Sequence, residues 1–210
     1  MINNFYTKSL NAAKQIVDIN TEIIDLKGKN IHNCIHCDRC IKNKVDYCPT
    51  FKEDDMYELY ELMLKADGFI FASPVYQMNI SAQLQTFINR LRPLGKYINK
   101  GHWATKIGGS IAVGGMRNGG QETTLEAINN FLLSTGMTVV SGGIYAYNGA
   151  AVWSDDKGKE GARNDDEGLT SVKVVGRRVA LMAKIVRNGL ESLKDKPSAG
   201  ELVGFSNQKE

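Results

Sequence analysis

Cysteine is missing from the whole chain except one short stretch: the four cysteines are Cys34, Cys37, Cys40 and Cys48. A disulfide framework spreads its cysteines to staple distant segments, so this distribution excludes one and points to a shared metal or cluster in a reducing compartment. Long apolar runs are also lacking. Nothing approaches the roughly eighteen consecutive apolar residues that span a bilayer, and the opening residues carry no apolar h-region. A cytoplasmic protein with no membrane partner is expected. Charge of one sign is scarce, with a formal net charge of only +3 and scattered basic residues, so no electrostatic footprint for nucleic acid is present. Several catalytic signatures are absent. There is no Gly-x-Gly-x-x-Gly after a first strand, no GxxxxGK[ST], no Gly-x-Ser-x-Gly elbow and no HExxH, and His32, His36 and His102 fit no triad pattern.

What is present is an alternation of helix and strand. A chain of 210 residues with 42% hydrophobic side chains suits one domain with a sizeable core. Helical spacing of Leu10, Ala13, Ile16 and Val17 predicts a helix over 5–17, followed by a strand over 21–26. Asp54 is placed to cap a helix over 56–66. The continuous apolar run 68–72, closed by Ser73 and Pro74, reads as a strand buried on both faces of a parallel sheet. A helix over 81–94, a strand over 106–113, a helix over 122–134 and a strand over 137–147 follow. Residues 154–167 read as a long polar surface loop in which Asp155, Asp156, Asp165 and Asp166 are solvated charges. A last helix covers 169–193, which ends the domain at 193, and 194–210 reads as a flexible tail.

Strands separated by helices imply an α/β doubly wound parallel sheet, because each parallel crossover must pack back over the sheet. Ligands in such sheets bind outside the carboxyl ends of the strands. Two loops take that position, 73–79 and the glycine-rich 114–120. Glycines there let backbone N–H groups approach a planar ring or its anionic edge. Tyr76 is suited to stacking on such a ring, or to lying half-buried as an ordinary aromatic, and Arg117 to meeting negative charge.

The cysteines form their own motif. Cys34, Cys37 and Cys40 fall at intervals of three, and Cys48 follows after seven residues with Pro49 behind it. Three closely spaced thiolates around one centre with a fourth closing the cage suit a [4Fe–4S] cluster. A structural Cys₄ zinc site and reduced thiols without metal are the competing readings; zinc motifs usually come as two separated pairs. His36 reads as a solvated loop residue.

In this order the motifs resemble the NAD(P)H-dependent FMN reductase-like flavodoxins, and among them the iron–sulfur flavoproteins. The residues that carry the resemblance are the run Cys34 to Cys48, Asp54-Asp55-Met56, Ala66-Asp67-Gly68, Ser73-Pro74-Val75-Tyr76, and Gly114-Gly115 with Gly119-Gly120-Gln121-Glu122. The resemblance implies a flavodoxin-like fold, FMN at the strand ends, NAD(P)H as a candidate donor, and a small-molecule or protein redox partner. It also implies assembly as a homodimer or homotetramer. Ser73, Pro74, Val75, Tyr76 and Asn79 would line the flavin from one side and Gly115, Met116, Arg117, Gly119 and Gly120 from the other. Cys34, Cys37, Cys40 and Cys48 would ligate the cluster. Asn4 and Thr7 look like the end of a phosphate loop running into its helix. The family's first buried strand has no counterpart ahead of them, so a longer reading frame that binds FMN more tightly is expected.

Overall fold

A computed structural model describes residues 3–195, 197, 198 and 201, with side chains from Tyr6 onward. The helices before the sheet are α1 (Asn3–Lys14), α2 (Arg39–Lys42) and α3 (Met56–Lys65), and the first strand is β1 (Gly68–Pro74). Then come α4 (Ala82–Arg90), a 3-10 turn at Arg92–Leu94, α5 (Gly95–Asn99), β2 (Ile107–Gly114) and α6 (Gln121–Ser134). The chain finishes with β3 (Thr138–Val139), β4 (Ala150–Trp153), α7 (Gly158–Arg163) and α8 (Asp166–Ser192). Residues 194–210, read from the sequence as a tail, lie mostly outside the described part.

The sheet is parallel throughout. β2 is its centre and is buried at every position. One edge pairs with β1, from Gly68 opposite Ile107 to Pro74 opposite Val113. The other edge is shared end to end, by β3 against Ile107 and Gly108 and by β4 against Ile111 to Gly114. Among the described residues β1 has a ladder on one side only. On its other side the Tyr6 hydroxyl of α1 donates to the Ala72 carbonyl at 3.1 Å. Burial pushes that phenol's pKa up, with Asp25 adding to the effect.

Two cores lie on the two faces. Ile107, Ile111 and Val113 of β2, with Val152 of β4, pack under Leu169, Val172, Val175 and Val179 of α8. Those four recur at the spacing that lines one face of a helix. The start of α8 is fixed by Asp165, whose Oδ1 accepts from Gly168 N at 2.9 Å, the usual way of satisfying an orphan N–H of a first turn. On the opposite face Phe71 meets Leu59 and Met63 of α3, Leu84 and Phe87 of α4, and Ile128 and Leu132 of α6.

Four expectations are corrected. Residues 21–26 form no strand; Ile24 and Leu26 pack against the second core, so the segment gains its burial without a ladder. The strand expected over 137–147 stops at Val139 and resumes at Ala150. Between them the chain turns at Gly143, held by Ala146 N–H to Gly143 O at 3.0 Å and Gly142 N–H to Ala146 O at 2.9 Å. The polar loop 154–167 contains α7. Asp55 rather than Asp54 occupies the N-cap position of α3, without a side-chain cap bond; the Asp54 carboxylate accepts from Met56 N at the helix start at 3.2 Å but is turned inward toward Arg90.

Candidate functional site

Three loops leave the carboxyl ends of β1, β2 and β4 and meet at one rim. After β1, Tyr76 and Asn79 pair across a two-residue turn, with N–H to O distances of 2.9 and 3.0 Å. Its central residues Gln77 and Met78 both have positive φ, 48° and 63°, as a mirror-image hairpin turn demands. Neither is glycine, so the turn carries backbone strain. Beneath it Ser73 is fully buried. Its hydroxyl donates to Pro74 O at 2.7 Å and accepts from Ser81 N at 2.9 Å. Ser81 in turn caps α4 by accepting from Leu84 N at 3.3 Å.

The glycine-rich loop after β2 is closed by Gln121. Its amide donates to Met116 O at 2.6 Å and accepts from Gly119 N at 2.9 Å. Gly120, at φ 91°, is where the two loops touch. A Cβ there would lie 2.7 Å from Met78 Cα, and Thr123 Oγ1 donates to Met78 O at 2.6 Å.

The third loop was not placed at the rim by sequence reasoning; Asp155 and Asp156, read as solvated charges, are exposed, but the backbone around them is tied to the glycine loop. Ser154 N donates to Gly114 O at 2.8 Å and Asp156 N to Gly115 O at 3.0 Å. The Asp156 carboxylate rests on Gly115 so closely that a Cβ there would lie 1.8 Å from it. The signal available in the sequence was the pairing of a second glycine with a polar turn at the end of a short apolar stretch, Ala150 to Trp153.

The expected rim residues thus divide into two groups. Tyr76, Met116 and Arg117 are exposed, as is Asn79, whose Oδ1 accepts from Ile80 N at 2.8 Å. Pro74 and Val75 are half-buried, with Val75 N bonded to Val113 O at 2.9 Å. Gly115 and Gly120 border the cleft between loops, while Ser73 and Gly119 serve inside the loops and have their polar groups engaged. Thr7 lies exposed on α1. Asn4 lies in the first turn of α1, its side chain outside the described part.

The cysteines gather elsewhere. Cys34, Cys37, Cys40 and Cys48 line one cavity with Arg90 and Arg92. Cys40 begins its burial at the short α2, and burial pushes its thiol's pKa up. Cys37 is held 3.3 Å from Thr50 Oγ1, and that hydrogen bond draws its thiol's pKa down. His36 is exposed, as expected. Among the described residues no three His, Cys, Asp or Glu side chains are arranged to hold a single metal ion.

This loop has almost no regular structure, so its shape comes from anchors. Arg90 and Asp54 form an ion pair with both side chains 1% exposed. Arg90 Nη1 also donates to His32 O at 2.7 Å, and Asp54 accepts from His32 N and Met56 N, each at 3.2 Å. Burial opposes the charge on Asp54, yet these hydrogen bonds outweigh it and hold the carboxyl below its ordinary pKa. Phe51 stacks on His32 at 4.7 Å, and the guanidinium of Arg90 lies 5.2 Å from the Phe51 ring centre. Arg92 Nε donates to Asp38 at 3.0 Å, and the Tyr97 hydroxyl to Asp46 at 2.9 Å.

A parallel α/β sheet with glycine-bearing loops at its carboxyl rim is the flavodoxin-like architecture. The pattern of the NADPH-dependent FMN reductase family matches residues 4–151, and the chain belongs to that family; it is an NAD(P)H-dependent flavin oxidoreductase. An iron-sulfur flavoprotein of Methanocaldococcus jannaschii is 46% identical over 143 residues, covering 67% of this chain and 70% of that protein. One of Archaeoglobus fulgidus is 40% identical over 163 residues, covering 77% and 80%. Among solved structures, RosB with bound 8-demethyl-8-formylriboflavin-5'-phosphate superposes with a TM-score of 0.70 at 15% identity, covering 96% of this chain and 77% of that one. No described helix is long and apolar enough to cross a membrane.

Proposed function

We propose that this oxidoreductase holds FMN at the three-loop rim and a [4Fe–4S] cluster in the cysteine cavity, and passes electrons between a reduced nicotinamide donor and a small-molecule or protein acceptor in the cytoplasm. The observation that carries the reading is the gathering of four thiols in one cavity that shares a helix with the rim. Ser81 at one end of α4 is bonded to Ser73 under the rim, and Arg90 at the other end lines the cysteine cavity. The names of the two archaeal relatives agree with it.

Four cysteines lining one cavity supply the four thiolates that a [4Fe–4S] cluster takes; a structural zinc ion is the competing reading and would draw on the same four sulfurs. When bound, flavin supplies both two-electron and one-electron chemistry and the cluster one-electron chemistry alone.

The residues of the chain position and shelter. Tyr76 and Met116 offer exposed faces at the rim for the flavin ring. Gly115 and Gly120 keep the loops close, and Gln121 fixes the glycine loop so that its backbone is preorganised before the ligand arrives. Around the cysteines Phe51 and Pro49 exclude water. Exposed Ile144, Tyr145 and Tyr147 support a homodimer or homotetramer. The test is an anaerobic absorption spectrum with flavin, iron and sulfide content, expected to show FMN with about four irons and four sulfides per chain, followed by turnover with NADH and NADPH. Flavin with zinc or without metal would leave an FMN or quinone reductase, and colourless protein unable to take up FMN would end the proposal.

A further inference from the structure

Two arginines from one turn of chain, Arg90 and Arg92, line the cavity of the four cysteines. Resting on the cluster reading above, we propose that they set the cluster's reduction potential, Arg90 through a buried guanidinium facing the sulfurs and Arg92 through a partly exposed one.

Arg90 is buried, with its side chain 1% exposed, and its Nη atoms serve Asp54 and His32 O while its guanidinium still borders the cavity of the sulfurs. The guanidinium lies within electrostatic reach of Cys48. Arg90 borders the cavity while Asp54 does not, so the ion pair presents its positive end to the sulfurs. Arg92 is within reach of Cys34 and Cys40, with its own aspartate, Asp38, also at the cavity wall. The Tyr60 hydroxyl lies against the same guanidinium as a neutral group: burial pushes its pKa up, and Arg90 acts in the opposite direction.

Adding one electron to a cluster held by four thiolates increases its negative charge. A fixed cation in a water-poor site stabilises that reduced form, and hydrogen bonds to sulfur act in the same direction. Both arginines therefore raise the potential, and the buried one has the larger effect because solvent screens it less. A purely structural clamp would hold the loop just as well and leave the potential unmoved, which makes the potential the deciding quantity.

The experiment uses the full chain, reconstituted anaerobically with FMN, iron and sulfide, and titrated with dithionite while the cluster is followed by EPR and the flavin by absorbance. Arg90→Met with Asp54→Asn removes the pair without stranding a buried carboxylate, and Arg92→Gln removes the partly exposed cation. Both variants are expected to lower the cluster potential with the flavin potential unchanged. The double variant should shift it by at least a threefold change in the cluster's reduction equilibrium, about 28 mV at 59 mV per tenfold, and Arg92→Gln by less. Should the double variant fail to load a cluster, Arg92→Gln decides alone. A loaded protein whose cluster potential is unchanged overturns the inference and leaves the proposed function standing; a wild-type chain that takes up no iron and sulfide removes both.

Discussion

The cysteine loop and the rim loops are both irregular chain held in a defined shape, but by different forces. Residues 32–55 are fixed by charge and aromatic stacking: the buried Arg90–Asp54 pair, Phe51 on His32, and Arg92 on Asp38. The rim is fixed by neutral hydrogen bonds from Gln121, Ser73 and Thr123 and by glycines that let neighbouring loops close up. Charged anchors are costly to bury and stiff once paired, whereas the rim's anchors are neutral and its charges, Arg117 and Asp156, lie exposed on its surface.

That contrast can be broken at several points. The largest effect is expected from Asp54→Ala, which leaves Arg90 buried and unpaired at a cost of about 3–5 kcal/mol. Urea unfolding should show it, and limited proteolysis should cut within 32–55 while FMN binding, measured on the folded fraction, persists. The same pair predicts a pH signature. Because the carboxyl of Asp54 is held below its ordinary value, its contribution is complete above an unfolded pKa of about 3.9 and is lost only as pH falls through the folded value. The urea midpoint should therefore carry this contribution in full, with no pH dependence from it, between about pH 5 and 8 and fall below about pH 4, with a shallower acid fall in Asp54→Asn.

Next comes Gly120→Ala. A methyl group at φ 91° and 2.7 Å from Met78 Cα must displace the hairpin, and about a tenfold or greater loss of FMN affinity is expected, equivalent to about 1.4 kcal/mol. Quenching of flavin fluorescence measures it, and iron and sulfide content should be unchanged. Equal losses of flavin and iron would mean that the two regions are not held independently. Gln121→Ala strands the Gly119 N–H and costs about 1–3 kcal/mol, again expressed in flavin affinity. The smallest effect is expected from Ser81→Ala, about 1 kcal/mol from a lost helix cap, read as a lower thermal midpoint.

The elements with strong periodicity were legible in the sequence. Residues 68–72, 106–113 and 122–134 became β1, β2 and α6 with small shifts at their ends, since each has a core face that its own pattern specifies. The broken edge strand was not legible, because Val139 and Ala150 are joined into one edge only by the register of β2. Asp54 was legible as an acceptor at the start of α3, but its ion-pair partner, Arg90, is 36 positions away and no local pattern announces an ion pair. Asp156 faces solvent as its polar surroundings suggest, but its place on Gly115 was not legible, because it depends on where β4 ends. The four cysteines were legible as a group, whereas the two arginines facing them were hidden inside the end of an ordinary amphipathic helix.

Helix α4 has nine residues, about 14 Å at 1.5 Å per residue, and its two ends belong to different cavities. Its length is therefore a phase as well as a distance. One inserted residue would turn Arg90 by about 100° around the helix axis relative to Ser81 and swing it away from the sulfurs, while an insertion of seven would nearly restore its direction about 10 Å further out.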